Sequence, residues 1–186
     1  MPRSTLYLIA ILAGVILVMG GFYWALTRPP QPPAQPVQPE TIPASSLQHF
    51  EVFLHRKPCL GACPVYAVLV KGASGSMKYV GSRNVAITGT ETAPVTVGQL
   101  ASLYRAVRHA EFFSIEDVYH NGPGGTGCTE LAADAPRAVI GVTRDARTKV
   151  IHYDYGCGGA PAALKKLANK IDRILNTARW VQASTG

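Results

Sequence analysis

Apolar positions fall into three patterns along the chain, and the first is a solid block. From Leu6 to Leu26 no residue is charged, and aromatic Phe22, Tyr23 and Trp24 close the run. Twenty-one residues at a helical rise of about 1.5 Å cover roughly 30 Å, the depth of a bilayer's hydrocarbon core. Arg3 and Arg28 flank the block, and amphipathic rings suit a membrane interface. The block predicts an uncleaved transmembrane anchor over 6–26, with a cytoplasmic stub over 1–5. A cleaved signal peptide has a shorter apolar core and a small-x-small cleavage site, which Tyr23-Trp24-Ala25 does not supply. The nearest Cys is Cys59, too distant for lipid attachment at the end of the run.

The second pattern has no periodicity. Between 27 and 45 seven prolines alternate with Gln, Ala and Val. Proline fixes φ and lacks an N–H, so this segment reads as an extended linker reaching ~45 Å at the polyproline rise. A ligand for proline-reading domains is the alternative.

The third pattern, over 46–183, is that of one folded domain, long enough for a single core. Phe50–Leu54 and Pro64–Val70 read as strands rich in β-branched and aromatic residues. Met77–Val80 returns after Gly72–Gly75 as a hairpin, and Val85–Thr88 reads as a fourth strand. Thr96 with Gln99 forms a capping box, opening a helix whose Val97, Leu100, Leu103, Tyr104 and Val107 recur at helical spacing. A second hairpin joins Ala138–Thr143 to Thr148–Tyr155. Pro161 opens a last helix with an apolar face of Leu164, Leu167, Ala168, Ile171, Ile174 and Leu175. The order predicts an α+β fold: a mainly antiparallel sheet with two helices packed on one face, preceded by the single transmembrane helix.

Charge changes this picture little. Lys and Arg exceed Asp and Glu by seven, but no basic stripe with interleaved aromatics marks nucleic-acid binding. The partners implied are the membrane, through the N-terminal helix, and another envelope protein or a cell-wall polymer.

The four cysteines, Cys59, Cys63, Cys128 and Cys157, all lie in the domain. In an oxidising compartment an even number reads as disulfides, and four cysteines allow three connectivities. Cys59–Cys63 with Cys128–Cys157 is the favoured set, worth ~2 and ~3.5 kcal/mol by chain entropy. Redox activity at Cys59-x-x-x-Cys63 is an alternative, although no helix follows Cys63 to activate a thiol. A structural zinc site on all four cysteines lacks the usual paired spacings.

Cys59-x-x-x-Cys63-Pro64 is similar to the site of the membrane-anchored, thioredoxin-like copper chaperones that serve cytochrome oxidase assembly. That resemblance implies copper held by Cys59, Cys63 and a distant His, for which His152 stands at a matching separation. It covers only those residues, and the βαβ unit of that fold is not legible.

A broader resemblance starts at Arg56-x-x-Cys59-x-Gly61-x-Cys63-Pro64-x-Tyr66. It continues through Tyr79-x-Gly81, Phe112-Phe113, Val150-x-His152-Tyr153 and Ala160-Pro161 to Trp180. These motifs resemble an uncharacterised bacterial envelope domain family, a domain of unknown function. The resemblance implies one exported domain and no activity. No nucleophile elbow, zinc helix or phosphate loop is present. Asp117, His120, Asp134, His152 and Asp154 are acid–base candidates for a hydrolase, although nothing in their spacing demands that they converge. Arg56 and Tyr66 are the candidate ligand-binding pair: an Arg beside a disulfide turn and a Tyr on the next strand would hold an anion or lock the turn. The combined expectation is a single-pass inner-membrane protein with a disulfide-stabilised, non-catalytic binding or interaction module in the periplasm.

Overall fold

The computed structural model describes residues 23–24, 41–120 and 128–182. Backbone contacts divide the chain into two units, 1–40 and 41–186. Of the first, only the helical Tyr23 and Trp24 are described, so the predicted anchor and most of the linker lie outside the described residues. Among the described residues no helix is long and apolar enough to cross a membrane.

The second unit begins with a short helix, α1 (Ala44–Gln48), and then forms a seven-stranded sheet. Its strands are β1 (Glu51–Lys57), β2 (Val65–Lys71), β3 (Ser76–Arg83), β4 (Gly89–Pro94), β5 (Val118–Tyr119), β6 (Arg137–Arg144) and β7 (Arg147–Asp154). Their spatial order is β4-β3-β2-β1-β6-β7-β5. All neighbours are antiparallel except the short β5, which runs parallel to β7. The hairpins follow from local chemistry. The β6–β7 turn places Asp145 and Ala146 at φ 51° and 61°, the two positive values that match a two-residue turn to strand twist.

Helices α2 (Val97–His109) and α3 (Ala162–Leu175) pack on one face. Alternation along the strands sends Val52 and Leu54, Val68 and Val70, Met77 and Tyr79, Ile140 and Val142, and Ile151 toward them, all essentially inaccessible. From the helices come Leu100, Leu103 and Val107 of α2 and Leu164, Leu167, Ala168, Ile171 and Leu175 of α3. The capping box at Thr96 and Gln99 is formed as expected. Gln99 also donates through Nε2 to the Ile174 carbonyl at 2.8 Å, tying the start of α2 to the end of α3. Gly72 is required where α1 approaches, since a Cβ there would sit 1.7 Å from the Leu47 carbonyl oxygen.

Three expectations are corrected. The fourth strand is not Val85–Thr88 but Gly89–Pro94. The apolar Val85 instead packs on the core, and Ala86 and Ile87 donate to the carbonyls of Val181 and Trp180 in a short helix, α4 (Ala178–Val181). Val97, the first residue of α2, is 71% exposed rather than part of the buried face. The parallel β5 has no counterpart in the predicted order.

Candidate functional site

At one end of the sheet β1 leaves Lys57 and turns through Pro58–Pro64 into β2. The Cys59–Cys63 disulfide closes this turn, with Cα atoms 5.7 Å apart. Leu60, Gly61 and Ala62 stand in solvent, and both cysteines are half-buried. The Gly61 N–H donates to Cys59 Sγ at 3.3 Å. Asn84, at the end of β3, donates through Nδ2 to the Cys63 carbonyl at 3.0 Å.

Beneath this loop lies a closed polar network. The Arg56 guanidinium reaches Asp172 of α3, with Nε and Nη2 donating to Oδ2 at 3.1 and 2.6 Å. Its Nη2 also donates to Asn169 Oδ1 at 2.9 Å, and Nη1 donates to the Tyr155 hydroxyl. The second oxygen, Asp172 Oδ1, accepts from Tyr66 at 2.8 Å and from the buried Thr177 hydroxyl at 3.0 Å. Burial would lower the Arg56 pKa, but the Asp172 carboxylate, with Tyr155 and Tyr66, raises it overall and keeps the side chain charged. Burial first, and Asp172 second, push the Tyr66 phenol far above its ordinary value, so it stays a donor. Tyr155 is raised mainly by burial, against the pull of Arg56. The candidate pair Arg56 and Tyr66 is therefore brought together, but around a carboxylate of the protein itself. The network locks α3 to β1 and β2 rather than capping the disulfide turn.

The free charges lie one residue further on. Lys57 and Arg137 are direct neighbours across β1 and β6. Both line a cleft of about 240 Å³ whose wall includes Cys63, Pro64 and Tyr66. Like charges placed opposite one another destabilise a sheet, and neither has a carboxylate within 4 Å among the described residues. Asp154 is Arg137's register partner on β7, but its Oδ1 accepts from the Gly156 N–H at 2.8 Å instead. On the other side of the loop a second cleft, about 340 Å³, is lined by Cys59, Leu60, Leu131 and Asp134, with Arg137 shared between the two. A larger depression of about 610 Å³ lies at the opposite end of the sheet, against α1 and the β6–β7 turn. It is lined by serines, Gln48, His49, Glu51 and Asp145 and gathers no comparable pair of cations.

The second disulfide, Cys128–Cys157, joins the segment before β6 to the turn after β7. The glycine run 122–127 preceding it lies outside the described residues. His152 points to solvent from β7, away from the helical face, and both sulfurs of its proposed copper partners are spent on their disulfide. Among the described residues no three His, Cys, Asp or Glu side chains gather as a metal site. Asp117 pairs with Lys149 at 2.9 Å and Asp154 holds Gly156, so two of the acid–base candidates are engaged structurally.

Sequence reasoning found Arg56 and Tyr66 but missed Asp172, Tyr155, Lys57 and Arg137. The only signal for the last two was their position at strand ends, and pairing them requires the β1–β6 register.

A search of curated proteins returns no match. A family model described as "Domain of unknown function (DUF6438)" matches residues 50–175. That span holds all four cysteines, the Lys57–Arg137 pair and every member of the Arg56–Asp172 network except Thr177. With so much of its length matched, and the whole sheet inside the match, the chain belongs to the DUF6438 family.

Proposed function

We propose that this protein is a binding module of the cell envelope, held to the inner membrane by residues 6–26 and displayed in the periplasm on its proline linker. In this reading it is non-catalytic, and the Lys57–Arg137 cleft takes an anionic group, a carboxylate or phosphate, of a cell-wall polymer. The observation that carries the reading is the pair of adjacent cations, opposed across the sheet with no carboxylate within 4 Å among the described residues and lining one cleft. Arg56 below them is already neutralised by Asp172, so the positive charge of the cleft belongs to Lys57 and Arg137. Two disulfides support an oxidising compartment, and the charge-free apolar run supports the anchor.

The test is co-sedimentation of the full chain, reconstituted in nanodiscs, with purified cell-wall polymer at graded salt. Charge-assisted hydrogen bonds contribute about 1.5–3 kcal/mol each, so Lys57→Gln with Arg137→Gln is expected to weaken binding at least about tenfold. Binding should also weaken as salt screens the charges. Affinity unchanged by the double substitution, or insensitive to salt, would overturn the reading.

A further inference from the structure

The Cys59–Cys63 disulfide has features that a structural crosslink does not need. It encloses three residues, all exposed, and each of its cysteines lines a different cleft. Its cysteines are half-buried rather than sealed, and cations stand beside them. The fold around it is secured independently. Arg56 anchors the end of β1 through Asp172, and Asn84 holds the Cys63 backbone. Opening the bond would therefore free the exposed turn while leaving both strand ends in place.

We propose that Cys59–Cys63 is a thiol–disulfide exchange site whose substrate is a dithiol. The incoming group is a thiolate, an anion, and the cleft that presents Cys63 is the one lined by Lys57 and Arg137. The thiolate attacks Cys63 Sγ. The S–S bond breaks, and its electron pair leaves on Cys59 Sγ, where the Gly61 N–H at 3.3 Å already points at the developing charge. A stabilised leaving thiolate speeds exchange, and reactive cysteines sit in electropositive, partly exposed surroundings. The second thiol of the substrate then attacks the mixed disulfide. It leaves as a disulfide, and Cys59 and Cys63 remain as thiols, each gaining one of the substrate's two protons. Two electrons pass from the dithiol to the protein, and the reverse sequence reoxidises the pair.

This inference does not rest on the anion-binding reading, since exchange is read by alkylation and binding by affinity. The oxidised full chain, in detergent, is equilibrated with graded ratios of reduced to oxidised dithiothreitol. It is then alkylated, and the cysteine-containing peptides are quantified by mass spectrometry, with circular dichroism on the same samples. Cys59–Cys63 is expected to be half-reduced at a reductant ratio at least about tenfold lower than Cys128–Cys157, with the folded signal intact. Lys57→Gln with Arg137→Gln is expected to slow reduction about threefold or more at low salt, and the difference should fade at high salt. Glutathione, which lacks the second thiol, should leave a mixed disulfide on Cys63. Simultaneous reduction of both disulfides, or reduction only with loss of the folded signal, overturns the proposal. So does a rate indifferent to the two cations, or a mixed disulfide on Cys59.

Discussion

The two disulfides of this domain differ in span, burial and surroundings. Cys128–Cys157 spans 29 residues, with Cys157 only 7% exposed and counted in the core. Around it Thr129 donates to the Gly158 carbonyl, Gly158 to Glu130, and Ala132 to Gly156, with Leu131 bridged to Cys157. A Cβ on Gly156 would fall 2.4 Å from the Ala132 carbonyl oxygen, so the two segments touch backbone to backbone. Cys59–Cys63 spans four residues in a solvent-exposed turn and receives one N–H on sulfur. One bond ties distant parts of the chain together, and the other decorates a turn whose base is fixed by other means. Compartment and cysteine count do not distinguish them; sequence separation and surroundings do.

The comparison is broken most directly by removing each bond in turn. Replacing Cys128 and Cys157 with Ala is expected to cost about 3.5 kcal/mol, against about 2 kcal/mol for Cys59 and Cys63. Thermal or denaturant unfolding of the full chain measures both, and equal losses would erase the distinction drawn here. Next in size is Asp172→Ala. It leaves Arg56 largely buried and unpaired, and removing one partner of a buried ion pair costs about 3–5 kcal/mol. With side chains still 15% and 18% exposed, the expected loss is about 3 kcal/mol. It should also make removal of the short disulfide more damaging than in the unaltered protein, because only the Asn84 contact then remains to hold the base of the turn. A double-mutant cycle reads that coupling, and strict additivity would show that the network does not hold the turn. The smallest effect concerns pH. Burial, and then Lys57, lower the His55 pKa. The folded state thus binds its proton less readily than the unfolded chain, so this stability is present above the ordinary histidine pKa and is lost as pH falls through the folded value. A melting-temperature series at and below about pH 6.5 should decline less steeply in His55→Gln.

Much of the sheet was legible because its core strands carry their own signal. Val65, Val68, Val70, Val139, Ile140 and Val142 are β-branched and buried, and the faces of α2 and α3 repeat at helical spacing. The two disulfide pairings were also the favoured ones. β4 escaped because it lies at an edge, where Gly89-Thr90-Glu91-Thr92 need no apolar side chains, while the apolar residues just before it serve the core and the C-terminal segment. Two-residue β5 is too short for any periodicity to show. The site was half legible for a different reason. Arg56 and Tyr66 lie close in sequence and beside the cysteines, whereas Asp172 is 116 positions from Arg56. Nothing local marks which carboxylate will arrive. Lys57 and Arg137 looked like ordinary strand-end cations until the β1–β6 pairing placed them face to face.

The two ends of the strand order carry a further consequence for crowded conditions. On one flank the sheet finishes in β4, six residues of polar and small side chains ending at Pro94; on the other it finishes in a pair, Val118 and Tyr119. Among the described residues, neither of these two strands presents a long, apolar row of unpaired amides on which another chain could template itself. Backbone templating between copies along the β4 flank is correspondingly disfavoured, and encounters there are left to side chains.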